Sequence, residues 1–181
     1  MNGNYIVPPL RLVFFMWLIF TIQLYNPIDF GVFGVFPRTL FGLIGILTAP
    51  LIHGNTTHLL SNTFPVLFLG STIYLFYARI AGQVFLICYF MPSIFVWLFG
   101  RPFYHIGASG LVYALALFLI SMGLFRRNAK SVIISIIVIL IYGGLLFNLT
   151  MLRDEISWES HVFGSVVGIG IAYGIHKTGK Q

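Results

Sequence analysis

His105–Ile120 reads HIGASGLVYALALFLI, a Gly-Ala-Ser-Gly turn set directly ahead of an almost wholly apolar run. Small residues at such a place let helices approach closely. A serine there can also place a hydroxyl at the mouth of a membrane segment. Composition settles what kind of segment this is. Of the 181 residues, 59% are hydrophobic and 8% are charged, and the mean hydropathy is +0.97. A soluble domain carries about 25% charged residues, so this chain cannot cover itself with a solvated surface. It reads as an all-α integral membrane protein, with room for several spans of about 20 residues each. The one cysteine, Cys88, lies inside the apolar run ICYF and has no partner for an internal disulfide.

Working outward from that run, six apolar segments emerge: Leu10–Leu24, Leu59–Tyr77, Gln83–Phe99, Ser109–Leu124, Val132–Phe147 and His161–Ile175. No polar low-complexity linker and no internal repeat divides them, so residues 1–181 are expected to form a single domain. The first segment lacks a basic leader and a small-residue cleavage site, and it reads as a retained helix. The connection from Tyr25 to His58 is too broken by Gly31, Gly34, Pro37, Gly42, Gly45 and Pro50 to span, yet too apolar for a water-facing loop. It is expected to embed partway in the bilayer against the other helices. Basic residues fix the orientation. With the N-terminus cytoplasmic, Arg11, Arg79, Arg126, Arg127, Lys130, Lys177 and Lys180 fall inside, and Arg38, Arg101 and Arg153 outside. The acids Asp29, Asp154, Glu155 and Glu159 also fall outside. Both termini are therefore expected to be cytoplasmic. The net charge of +6 is a topology signal that needs no nucleic-acid partner.

In that frame three segments bring polar side chains to a similar depth on the outer side. His53, His58 and Asn62 stand at or just before the start of the second helix, Ser109 at the start of the fourth, and His161 at the start of the sixth. Burying such groups unpartnered costs several kcal/mol each, so they are expected to meet one another or a water-filled cavity. Simpler readings exist for each. The Gly-Ala-Ser-Gly turn and the pair Gly164/Gly168 both fit plain close packing of helices. His58 and Asn62, four apart on one face, could bond only neighbouring backbone. Packing and chemistry are compatible, however: glycines on the sixth helix would let it approach until His161 reaches Ser109.

The chemistry that fits is acyl transfer. A helix N-terminus offers unbonded N–H groups and the positive end of the dipole, which favour an alkoxide and a developing oxyanion at Ser109. Gly107 and Gly110 allow a tight turn and close approach of a substrate backbone. Neutral His161 can take the serine proton and return it to the leaving amine. No acid stands ready to complete a triad. Glu159 is two residues before His161 and points largely away on a helix, and Asp154 and Glu155 belong to the preceding loop. A Ser–His dyad results, with Asn62 and His58 as possible side-chain donors to the oxyanion.

These residues, in this order, resemble the rhomboid intramembrane serine proteases across nearly all of the chain. HGNTTHLLSN carries the H-x4-H-x3-N pattern with His53, His58 and Asn62. GASG carries G-x-S-G with Gly107, Ala108, Ser109 and Gly110, followed by Tyr113. HVFGSVVG carries H-x2-G-x3-G with His161, Gly164 and Gly168. The resemblance implies a six-helix bundle that cleaves single-span transmembrane proteins in a wet cavity open to the extracytoplasmic side of the cell membrane, without metal or other cofactor. It implies Ser109 as nucleophile and His161 as general base. It also implies an oxyanion hole from His58, Asn62 and the Ser109 N–H, with Tyr113 packed on the imidazole. The Tyr25–His58 connection corresponds to the family's embedded first loop, and the fifth helix with the loop Asn148–Ser160 to its substrate gate and cap. There are departures. Ser160 stands where the family often has Ala, Pro37-Arg38 where it often has Trp-Arg, and FYARIAG lacks the Glu common at the inner end of the second helix. With nine residues before Leu10 and no soluble accessory domain, a minimal six-helix core is expected.

The rival within the same scaffold is a catalytically silent relative that binds or escorts membrane proteins, and retention of Ser109, His161, Asn62 and His58 together weighs against it. A transporter would show ionisable residues along a mid-membrane path or repeat symmetry, and a membrane zinc protease would show H-E-x-x-H. The sequence shows neither. His105 is expected in the loop or lip, and His176 at the inner interface, neither with a role.

Overall fold

A chain this poor in charge must satisfy its backbone within each segment, and helices do so. The computed structural model describes residues 7–148 and 157–179, with the side chains of 145–148 left aside. It is all-α apart from one isolated backbone bridge, and it holds seven α-helices among the described residues. They are α1 (Val7–Leu24), α2 (Gly45–Thr48), α3 (Thr56–Phe76), α4 (Ala81–Phe99), α5 (Ser109–Arg126), α6 (Ala129–Asn148) and α7 (Trp158–Thr178). α1, α3, α4 and α5 are each long and apolar enough to cross a membrane. α6 and α7 have comparable lengths, 20 and 21 residues. The chain is a multi-pass membrane protein.

Four helices begin three residues earlier than their apolar runs: α1 at Val7, α3 at Thr56, α6 at Ala129 and α7 at Trp158, where the sequence pointed to Leu10, Leu59, Val132 and His161. Helices start where caps allow, and hydropathy marks only where side chains turn apolar. The Asn55 side chain accepts from the His58 N–H at 2.8 Å, and Asn128 accepts from the Ser131 N–H at 2.9 Å, each satisfying an orphan donor of a first turn. His161 consequently sits one turn inside α7.

α5 is the hub. Almost every side chain from Gly110 to Gly123 is buried, and α5 packs against α3, α4, α6 and, most extensively, α7. In lipid no hydrophobic force pulls helices together, so close packing at small residues must hold them. A side chain on Gly164 would strike the Gly110 carbonyl, and one on Gly168 would strike the Ala114 carbonyl. The two glycines therefore set the α5–α7 distance, as their spacing suggested.

The segment between α1 and α3 folds as three 3-10 turns around the four-residue α2. Despite Pro37 standing in place of Trp, it is well anchored. Arg38, with φ of +59°, donates to the carbonyls of Gly100 at 3.0 Å and Leu98 at 3.3 Å, capping the C-terminal end of α4. Trp97 donates to the Thr39 carbonyl at 2.9 Å. Val35 and His105 exchange both backbone bonds, each 2.9 Å, which ties this segment to the α4–α5 loop. At the opposite end, Lys130 donates to the Phe76 carbonyl at 2.8 Å and so caps α3, where the expected Glu is absent.

Candidate active site

Gly107 makes the site possible. Its φ of +100° is a left-handed conformation that a side chain would strain, and any Cβ there would meet the His58 ring. Its N–H is held by the Ala49 carbonyl at 2.8 Å. The chain reverses at this point, passes through the fully buried Ala108, and enters α5 with Ser109 as its first residue. The first turn of a helix leaves its N–H groups without intrahelical partners, so Ser109 lies among unspent donors.

His161 comes to it from α7. Its Nε2 is 3.1 Å from Ser109 Oγ, within hydrogen-bond range. The Tyr113 ring, one turn along α5, stacks on the imidazole with centroids 4.3 Å apart and planes 15° apart. Close approach through Gly110, Gly164 and Gly168 is what permits both contacts. His161 Nδ1 is buried and has no hydrogen-bond partner among the described residues. Glu159 does not supply one, since its carboxylate is bound by Arg101, with Nε to Oε1 at 2.5 Å. Asp154 and Glu155, with Arg153 and most of the loop Asn148–Ser160, lie outside the described residues, as does Lys180.

His58 and Asn62 line the facing wall. Asn62 is buried and donates from Nδ2 to the His58 carbonyl at 3.1 Å, the plain backbone bond that the four-residue spacing allowed. The His58 ring abuts Gly107, and behind it lies His53, fully buried, with ring centroids 5.0 Å apart. Burial, with the nearby His58, pushes the His53 imidazole down to about 3, so it is neutral at ordinary pH. Ser109, His161, His58, Asn62, Tyr113 and Ser61 line a cleft of about 500 Å³. Among the described residues no three His, Cys, Asp or Glu side chains gather into a metal-binding group.

Of the two places expected for His105, loop or lip, it lies in the loop, where it is 2% exposed. Its Nδ1 is 2.6 Å from Ser157 Oγ and its Nε2 is 3.0 Å from the Arg101 carbonyl, while its ring stacks on Phe103. Burial holds its pKa below the ordinary range. Arg101 and Phe103 are near neighbours in sequence, but Ser157 lies 52 residues away, and nothing local revealed that contact. His176 is exposed beside Phe125 at the other end of α7.

Residues 40–178 match the Rhomboid domain. An uncharacterized protein of Mycobacterium tuberculosis is 32% identical over 184 aligned positions, covering 94% of this chain and 76% of that protein. An uncharacterized protein of Mycobacterium leprae is 34% identical, covering 72% of this chain and 55% of its own length. The matched span takes in His53, His58, Asn62, the turn at Ser109 and the α7 histidine, so the chain belongs to the rhomboid family, whose members are generally intramembrane serine proteases.

Proposed function

We propose that the protein is an intramembrane serine endopeptidase that cuts transmembrane segments of other membrane proteins near the outer face. The observation that carries this reading is the 3.1 Å approach of His161 Nε2 to Ser109 Oγ at a helix N-terminus that opens on a cleft of mixed polar and apolar lining. Ser109 Oγ attacks the scissile carbonyl while His161 takes its proton. The resulting oxyanion is held by the Ser109 N–H, with His58 and Asn62 as side-chain donors. His161 then gives its proton to the leaving amine, and water, activated by the same imidazole, releases the acyl group. Tyr113 keeps the ring in plane for both transfers. With His161 Nδ1 unpaired among the described residues, two side chains perform the proton transfers.

In this reading all six long helices span the cell membrane as one domain with both termini cytoplasmic, the first loop is embedded, and the cleft faces the extracytoplasmic side. Substrates are single-span proteins whose helix unwinds locally to enter the cleft, and no cofactor takes part. The test is cleavage of a model single-span substrate in liposomes by the native chain and by Ser109→Ala. Cutting by the native chain alone supports the reading. Equal cutting by both sinks it, and failure of both across several substrates favours the silent scaffold.

A further inference from the structure

The first turn of α7, which carries His161, is not capped in the usual way. Ser157 stands at its N-cap, yet its hydroxyl makes no cap bond. It lies 2.6 Å from His105 Nδ1 and 2.6 Å from Ser160 Oγ instead. Beside it Glu159, whose side chain is 3% exposed, takes a two-pronged bond from Arg101: Nε to Oε1 at 2.5 Å and Nη2 to Oε2 at 3.2 Å. The Arg101 backbone N–H adds a third bond at 3.3 Å. The guanidinium lies over the rings of Phe103 and Trp158, at 4.9 and 5.4 Å. All these grips come from the α4–α5 loop, residues 100–108, which is itself fixed by Val35 and Arg38 and which ends at Ser109.

We infer that Arg101 and Glu159 are positioning residues, a clasp that locks the base-bearing turn of α7 to the loop that delivers the nucleophile. The same rigid loop then references both Ser109 and His161, so their separation does not depend on the residues that precede α7. A buried carboxylate without its partner is strongly unfavourable, so losing Arg101 forces Glu159 outward and turns the start of α7 with it. Misplacement by a fraction of an ångström is felt in the chemical step before it is felt in binding, because proton transfer needs aligned atoms. The glycine seam further along α7 fixes the helix axis, and the clasp fixes the rotation of its first turn.

This inference rests on the proposed protease activity, so the native chain and Ser109→Ala accompany every assay. The experiment measures kcat and KM on a single-span substrate in liposomes for Glu159→Gln, Glu159→Ala, Arg101→Lys and the exchanged pair Arg101→Glu with Glu159→Arg, with thermal midpoints in detergent. Rates are counted per site titrated by a fluorophosphonate. Glu159→Ala should lower kcat roughly 10- to 100-fold with KM within about threefold. Glu159→Gln and Arg101→Lys, which keep a hydrogen bond, should lose less, and the exchanged pair should recover part of the loss. If the native chain cuts and Glu159→Ala retains native kcat per titrated site, the clasp is merely structural and the inference fails. A loss confined to KM also overturns it. Should Glu159→Ala not fold, Glu159→Gln and Arg101→Lys decide by the same split. A native chain that does not cut refutes the protease reading instead.

Discussion

α7 and α6 both lie against α5 through small residues, but they do so differently. The α7 seam runs along the helix, from Gly164 on the Gly110 carbonyl to Gly168 on that of Ala114 and the buried Ala172 beyond. Among the described residues the buried part of the α6 seam lies between Ser131 and Val138. Ser131, Ile134, Ser135 and Val138 are buried at helical spacing, Ser135 donates to the Ile120 carbonyl at 3.1 Å, and Ser131 receives the Tyr77 hydroxyl at 3.1 Å. Beyond Val138 the helix opens outward. Ile139, Leu140 and Ile141 are exposed, Leu140 by 78%, and a side chain on Gly144 would touch nothing. Tyr142 rests on Phe68 of α3, with centroids 5.8 Å apart. The helix that bears the base is thus held along its length, whereas α6 is held like a post set at one end. Under the proposed protease function these are two separate tasks, holding two atoms in register and admitting a substrate helix, and α6 is the element proposed as the gate.

The largest effect should come from the chemistry the α7 seam supports. His161→Ala should reduce cleavage by roughly 10⁴-fold or more while leaving the thermal midpoint nearly unchanged, as an initial-rate assay with a melting curve would show. Next comes the seam itself. Gly168→Val pushes backbone from backbone, and overpacking of this kind costs about 1–3 kcal/mol; the midpoint and kcat should fall together. Stability and rate both surviving would mean that α7 is no more fixed than α6. A gate mutation should act oppositely: Phe68→Ala frees the outer half of α6 and should raise cleavage by roughly a few-fold where substrate admission limits the rate. A loss of activity there would contradict the division of tasks.

The smallest effect is in pH dependence. Burial, with the nearby His58, lowers the His53 imidazole to about 3, and burial lowers His105 in the same direction, so as the pH falls from the ordinary value of 6.5 the unfolded chain binds more protons than the folded one. Stability is full above 6.5 and declines as the pH falls below that value. The thermal midpoint should therefore drop on acidification, and drop less in His53→Gln. Activity should also fall on the acid side, since a protonated His161 cannot accept the serine proton.

The sequence made the helical class legible through its apolar runs, and it exposed the candidate site because Ser109, His161, His58 and Asn62 all stand near helix starts on one side. Glycine spacing on α7 pointed correctly to a close seam. What stayed hidden depended on distant pairs. Arg101 and Glu159 are 58 residues apart. Glu159 could be read as turned from His161, but not as turned toward an arginine. Arg38 and Lys130 counted as topology charges, yet each also caps a helix end, a contact set by tertiary geometry that no local pattern encodes. The starts of α3 and α6 were misjudged because an asparagine cap precedes each apolar run.

Whether Ser109 is an activated nucleophile can be read by labelling with a fluorophosphonate followed by peptide mass spectrometry. An activated Ser109 should carry a single adduct in the native chain at neutral pH, lost in His161→Ala and fading on acidification. No adduct, or one on another serine such as Ser61 or Ser157, would contradict it.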